Sequence, residues 1–222
     1  MKKIIPIILI LISFFFQNAK ADFMPPYTNS INHYGIGAAK ITNFVKIYEK
    51  PDLNSKVLQK IYWNNIGNLL FENKENTENF SDVFLIFMPK DNTVFLSVED
   101  EDEKWIQVCY NQKLKLFGWI KKENEKSYAK FYSYRDLLLE YGKKYGIYLF
   151  RNLPYEYKKL YSGPNKEAKE IDEFKYAKYI SPWLVQGNWV LVKVTTYDNK
   201  TKTGWFKWRG DDGRLYCFVN IE

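Results

Sequence analysis

Residues 105–121 read WIQVCYNQKLKLFGWIK, and residues 189–207 read WVLVKVTTYDNKTKTGWFK. Each stretch opens with a tryptophan inside an apolar run and closes with a Gly-Trp pair, an apolar residue and a lysine. These runs predict β-strands joined by turns. Gly118, before Trp119, predicts a bend at which the following strand crosses closely over another backbone.

A second matched pair precedes these stretches. Residues 47–56 (IYEKPDLNSK) and 160–169 (LYSGPNKEAK) share an apolar residue, a tyrosine, a proline, a small residue and a lysine at the same spacing. The proline and its polar neighbours predict a turn after each tyrosine. Several matched elements in the same order indicate two copies of one module.

The composition also favours β-structure. Aromatic residues make up 18% of the 222 residues, and they pack well on pleated surfaces. Apolar residues rarely recur at the three- to four-residue spacing of a helix. Short twisted strands joined by turns therefore predict an all-β protein built from small barrels.

The motifs resemble the bacterial SH3-type domains that occur in tandem in exported bacterial proteins. The pattern of that family is a strand ending in a basic residue, a turn with proline, an apolar strand, then W-x-x-V and G-W-I or G-W-V. The first copy matches it at Val45, Lys46, Pro51, Ser55, Val57, Trp105, Val108, Gly118, Trp119 and Ile120, and the second at Leu160, Tyr161, Pro164, Ala168, Ile171, Trp189, Val192, Gly204, Trp205 and Phe206.

The resemblance implies two SH3-like barrels in tandem, at residues 22–130 and 146–222. The first barrel carries an insertion at about residues 63–104, which includes a β-hairpin formed by residues 83–87 and 93–98. In the second, the Asp-Gly turn before Arg214 predicts another hairpin.

A short connector helix is predicted within residues 131–145. Ser133 is a suitable N-cap and Gly142 a suitable stop. Leu137, Leu138 and Tyr141 lie on one flank by helical spacing, so we expect this flank to pack against a barrel.

Residues 1–21 have the order of properties of a cleavable signal peptide. Lys2 and Lys3 precede an uncharged apolar run that is too short to span a bilayer, and Ala19-Lys20-Ala21 fits the A-x-A pattern of a cleavage site. We expect cleavage after Ala21 and export to a periplasm or to the outside of the cell, with no stable membrane anchor left. An uncleaved N-terminal anchor is the alternative.

The charge pattern argues against nucleic acid as a partner. The signal segment contributes three of the seven net positive charges, which leaves a dispersed excess of +4 on the mature chain. Phosphate binding needs a concentrated basic face. The acidic run at residues 99–103 is interpreted as a solvated loop because its spacing does not match a calcium loop.

Cys109 and Cys217 are the two cysteines. Export to an oxidising space permits a disulfide between them, and two buried thiols are the alternative.

Candidate catalytic residues are scarce. His33 is the single histidine, and it is interpreted as an exposed loop residue. Neither cysteine follows a pattern typical of a nucleophile. The sequence therefore predicts a protein that is not an enzyme, with no metal and no cofactor.

Aromatic side chains are the candidate ligand-binding residues, since rings stack on proline-rich or sugar-containing ligands. Filling of the barrel cores is their alternative role, and Trp183, expected in a loop, is the candidate least suited to it. The candidates are Tyr48, Trp119, Tyr161, Trp183, Trp189, Trp205 and Trp208.

The resemblance implies a non-catalytic envelope module that binds peptidoglycan, a cell-wall peptide or an exported protein. A structural or assembly protein, with the two barrels packed as one rigid body, is the alternative. A hydrolase with an unrecognised site is a third. The sequence leaves the oligomeric state open.

Overall fold

The computed structural model describes residues 33–64, 67–73, 83–88, 91–122, 129–150, 153–174 and 177–220. Across these ranges the chain is mostly β, with two antiparallel sheets separated along the sequence by one short interrupted helix. This confirms the predicted all-β character. The outermost strands of the hydrogen-bonded order do not pair with each other in either sheet, so closed barrels are not observed in the described residues.

The first sheet has nine strands in the described residues, in the order β4-β3-β2-β8-β7-β6-β1-β9, with β5 paired to β6. Its strands are β1 (Gly37–Ile41), β2 (Val45–Tyr48), β3 (Val57–Trp63), β4 (Leu69–Phe71), β5 (Ile86–Met88), β6 (Thr93–Glu101), β7 (Trp105–Asn111), β8 (Leu116–Lys121) and β9 (Ala129–Ser133).

The second sheet has seven strands in the same described part of the chain, in the order β12-β11-β15-β14-β13-β10-β16. Its strands are β10 (Ile147–Leu149), β11 (Lys159–Tyr161), β12 (Glu170–Glu173), β13 (Ala177–Gln186), β14 (Trp189–Thr196), β15 (Thr201–Lys207) and β16 (Cys217–Val219).

Seven strands of the first sheet follow the same plan as the second. Without β4 and β5, the first order is β3-β2-β8-β7-β6-β1-β9, which matches the second order strand for strand and in chain sequence. Trp105 lies opposite Lys121, as Trp189 lies opposite Lys207. The residues that repeat in the sequence therefore occupy equivalent positions in the two sheets.

Irregularities of the strands repeat as well. The pairing register shifts just before Tyr48 in β2 and just before Tyr161 in β11. It shifts again around Glu99 in β6 and around Trp183 in β13, so each of these two residues is a bulge residue. In both sheets, the bulges therefore change the direction of the side chains at equivalent strand positions.

The predicted hairpin in the first copy is present, because β5 pairs antiparallel with β6. Strand β6, however, occupies the place of β13 in the shared plan. Among the described strands, only β4 and β5 are additions to that plan.

The connector helix has three consecutive segments, α1 (Tyr134–Leu137), a π-helical turn (Leu138–Gly142) and α2 (Lys143–Tyr145). The Ser133 hydroxyl accepts a hydrogen bond from the backbone N–H of Asp136, which confirms the predicted N-cap. The stop at Gly142 is wrong: the helix continues to Gly146, whose φ is +85°. Gly142 instead permits close packing, since a Cβ there would lie 2.8 Å from Cγ of Pro182 in β13.

One hydrophobic core joins the two sheets. It contains Ala38, Phe95 and Tyr132 from the first sheet, Leu137 and Leu138 from the helix, and the buried face of the second sheet. A separate core lies within the first sheet alone. The sheets are thus packed on each other through the helix.

Residues 33–36 form an N-terminal strap that contacts strand β6 of the first sheet and the segment between β15 and β16 of the second copy. The carbonyl of His33 accepts a hydrogen bond from the N–H of Leu215 at 2.8 Å, and the carbonyl of Gly35 accepts one from Arg209 at 2.7 Å. On the other side, the N–H of Ile36 donates to the carbonyl of Val98 at 2.7 Å.

Candidate functional site

Each sheet carries a cluster of three aromatic residues at equivalent positions. In the first, Tyr48 pairs across the strands with Trp119 and meets the edge of Trp105, with ring centroids 5.7 Å apart. In the second, Tyr161 pairs with Trp205 and its ring centroid lies 5.2 Å from that of Trp189, also edge-on. These aromatic contacts stabilise the crossing of the strands.

The glycines of the Gly-Trp pairs make these clusters fit. A Cβ on Gly118 would lie 3.0 Å from the carbonyl oxygen of Tyr48, and one on Gly204 would lie 3.3 Å from that of Tyr161. The strand that carries the second tryptophan therefore lies close to the backbone of the tyrosine. The sequence predicts this close approach at Gly118, and the structure shows the same approach at Gly204.

Burial separates the predicted binding residues into two groups. Trp189 and Trp208 are 8% and 5% exposed, and Tyr48 is also buried. The indole N–H of Trp208 donates to the carbonyl of Gly187 at 3.0 Å, which fixes that side chain in the core. The residues with an open side are Trp119, Tyr161, Trp183 and Trp205.

Trp183 lies in strand β13, although a loop was expected. It is the bulge residue of that strand and 48% exposed, and the neighbouring Leu184 is 51% exposed. Trp183 and Leu184 thus form a small open apolar patch on strand β13.

A line of apolar side chains crosses four strands of the second sheet. Leu184 pairs with Leu191, Leu191 with Trp205, and Trp205 with Tyr161. Directly paired residues point to the same side of a sheet, and three strand spacings give this line a length of roughly 14 Å. We call Tyr161, Trp205, Leu191 and Leu184 the apolar row, and the side of the sheet that bears it the outer face.

The equivalent line in the first sheet is polar at one end. There Tyr48 and Trp119 are followed by Gln107 and Asp100, at the positions of Leu191 and Leu184. The bulge residue is Glu99 where the second sheet has Trp183. The two copies therefore share a framework but present different outer surfaces.

No protein-family model, curated protein or solved structure matches this chain.

The candidate nucleophiles and bases lie outside the apolar row. Burial raises the pKa of the Cys109 thiol to about 12, and burial also raises the pKa of Cys217. Both thiols are free and buried, so the disulfide that the sequence left open is not formed. The described residues contain no group of three or more histidine, cysteine, aspartate or glutamate side chains able to hold a metal ion.

One interpretation of the sequence is wrong and another holds only in part. His33 is 1% exposed rather than solvated, because its ring stacks on Phe150 with centroids 5.0 Å apart. Residues 99–101 of the acidic run belong to strand β6 rather than to a loop, whereas Asp102 and Glu103 lie after the strand and are exposed. Glu99 is half-buried, and burial raises its pKa.

The predicted signal peptide lies outside the described residues. Among the residues that are described, no helix is long and apolar enough to cross a membrane.

Sequence reasoning missed Leu184 and Leu191 as members of the candidate site. Residues 189–195 read WVLVKVT, and the valine at every second position was a usable signal for Leu191. In the structure Val190, Val192 and Val194 are buried, and Leu191 and Lys193 face the other side of the sheet. The bulge at Trp183 changes which residues of β13 face outward, so the sequence period alone misplaces Leu184.

Proposed function

We propose that this chain is an exported, non-catalytic binding module composed of two SH3-type domains in tandem. The motif positions of the resemblance support this, because they lie on equivalent strands of two sheets with one strand order. We further propose that the second domain binds a ligand of the bacterial cell wall on its outer face.

The observation that carries the binding proposal is the apolar row, partly exposed at Tyr161, Trp205 and Leu191 and about half exposed at Leu184, with the exposed Trp183 beside it. Tyrosine and tryptophan rings offer flat surfaces on which sugar rings and peptide groups stack at a small entropic cost. A row of roughly 14 Å across four strands has room for a few sugar or amino-acid residues in extended form.

Retention on purified, insoluble cell wall tests the proposal. Wild-type residues 22–222 should be retained, and the variant Trp183→Ala with Leu184→Ala should lose most of its retention. Both side chains are about half exposed, so we expect the variant to stay folded. Tyr197→Ala is the matched control, because Tyr197 is 72% exposed in the turn after β14 and lies away from the apolar row. Equal retention of wild type and double variant would contradict the proposal.

A structural or assembly role is the second candidate, and the shared core favours it. Tyr134 of the helix meets Phe218 of β16 edge-on at 6.0 Å, within the core that joins the two sheets. Sedimentation separates this role from binding. A stable dimer that fails to bind cell wall supports assembly, whereas a monomer retained on the wall supports the binding module.

A further inference from the structure

The central strands of the two sheets carry opposite charge. Strands β13, β14 and β15 contain four lysines and neither aspartate nor glutamate. Their equivalents β6, β7 and β8 contain three acidic residues and one lysine. The two sets of strands share strand order and register. The difference in charge therefore comes from different side chains at equivalent backbone positions.

Three of the four lysines of the second sheet have a polar partner. Lys202 pairs with Asp172 at 2.6 Å, Lys207 with Asp211 at 3.0 Å, and Lys178 lies 3.4 Å from the side-chain oxygen of Asn199. The fourth, Lys193, is exposed and forms no ion pair with any of the described residues.

Lys193 stands on the outer face, next to the apolar row. It pairs across the strands with Ser181 on one side and Thr203 on the other. Leu191 is two residues away on the same strand, and therefore about 7 Å along the same face. Ser181, Lys193 and Thr203 thus form a second line across three strands, parallel to the apolar row, with the positive charge at its centre.

We infer that the outer face of the second sheet binds a peptide-bearing cell-wall glycan and recognises the free carboxylates of that ligand. This inference rests on the proposed function. The apolar row contacts the sugar rings or the aliphatic part of the peptide. Lys193 forms the ion pair with a carboxylate, and Ser181 and Thr203 lie where their hydroxyls can donate hydrogen bonds to it. The first domain, with Glu99 and Asp100 at the positions of Trp183 and Leu184, repels the same ligand.

Amidation of the cell-wall carboxylates tests this inference, because it removes their charge and leaves the sugars in place. The experiment compares wild type and Lys193→Gln on untreated and on amidated wall. We expect wild type to bind amidated wall about two- to fivefold more weakly than untreated wall, the effect of one exposed charge pair. Lys193→Gln should show that weaker binding on both walls, because the pair is already lost.

Lys200→Gln is the control variant, since Lys200 is exposed in the turn after β14 and pairs with Asp198. It should bind both walls as wild type does. If wild type and Lys193→Gln bind both walls equally well, the inference on carboxylates is overturned while the proposed function stands. If wild type binds neither wall, the proposed function fails and this inference fails with it.

Discussion

His33 is a buried side chain whose protonation is expected to destabilise the folded protein. Its ring stacks on Phe150, and neither ring nitrogen has a hydrogen-bond partner among the described residues. Burial, with a smaller effect from Lys115, lowers the pKa of His33 to about 4 from its ordinary value of 6.5. A charged imidazole there would be desolvated and unpaired.

The protein should therefore lose stability as the pH falls from about 6.5 towards 4. The unfolded chain takes up a proton near pH 6.5 and the folded chain does not, so the full contribution of neutral His33 is present above that pH. We expect a loss of roughly 2 kcal/mol in the free energy of unfolding between pH 7 and pH 4.5. Urea unfolding at the two pH values measures it.

His33→Phe keeps the stacking on Phe150 and should remove most of this pH dependence. The pKa of Glu99 is raised by burial, so its protonation acts in the opposite direction, and a Glu99→Gln variant separates the two groups. An unchanged pH dependence in His33→Phe would show that another group is responsible.

At the scale of elements, the crossing of β8 over β2 depends on the absence of a side chain at Gly118. A Cβ there would lie 2.4 Å from Cγ2 of Ile47, whereas one at Gly204 would lie 2.9 Å from Cβ of Leu160. The first contact is shorter, although the second is also below the normal range. The two crossings are equivalent in register but not equally tight.

Gly118→Ala should lower the free energy of unfolding by about 1–3 kcal/mol, as overpacking of a close contact does. We expect Gly204→Ala to cost less. Gly163→Ala is the control, since the nearest atom to its Cβ would be 3.5 Å away, an ordinary contact. Chemical denaturation of the three variants checks this order, and equal stability of Gly118→Ala and wild type would show that the strands can separate without cost.

At the scale of the whole molecule, the shared core and the N-terminal strap connect the two sheets. The hydroxyl of Tyr134 donates to the carbonyl of Tyr34 at 3.0 Å and lies 3.1 Å from the hydroxyl of Ser97. Helix, strap and first sheet thus meet at one buried point. Units joined in this way are expected to unfold together.

Leu137→Ala tests this coupling, because Leu137 is 1% exposed in the core that joins the sheets. The substitution should lower the free energy of unfolding by about 2–5 kcal/mol. Unfolding followed by tryptophan fluorescence and by far-UV circular dichroism should give coincident curves before and after it. Leu114→Ala is the control at a residue that is 54% exposed, and a second transition that Leu137→Ala leaves in place would contradict the coupling.

The sequence by itself determined the β character, the repeated residues and the close approach at Gly118. These depend on local patterns, because strand period, turn residues and missing side chains act over a few positions. The N-cap at Ser133 belongs to the same class. The end of the helix does not, since the sequence predicts a stop at Gly142, whereas this glycine packs against Pro182 within the helix.

Only the tertiary structure decided which surfaces are open and which residues are brought together. The burial of His33 depends on Phe150, which is distant in sequence, and the apolar row depends on the register of four strands and on the bulge at Trp183. A bulge changes the facing of all later residues in its strand, and sequence period carries no record of it. The motifs thus gave the framework of both copies, whereas long-range pairing made the outer face of the second one apolar and basic.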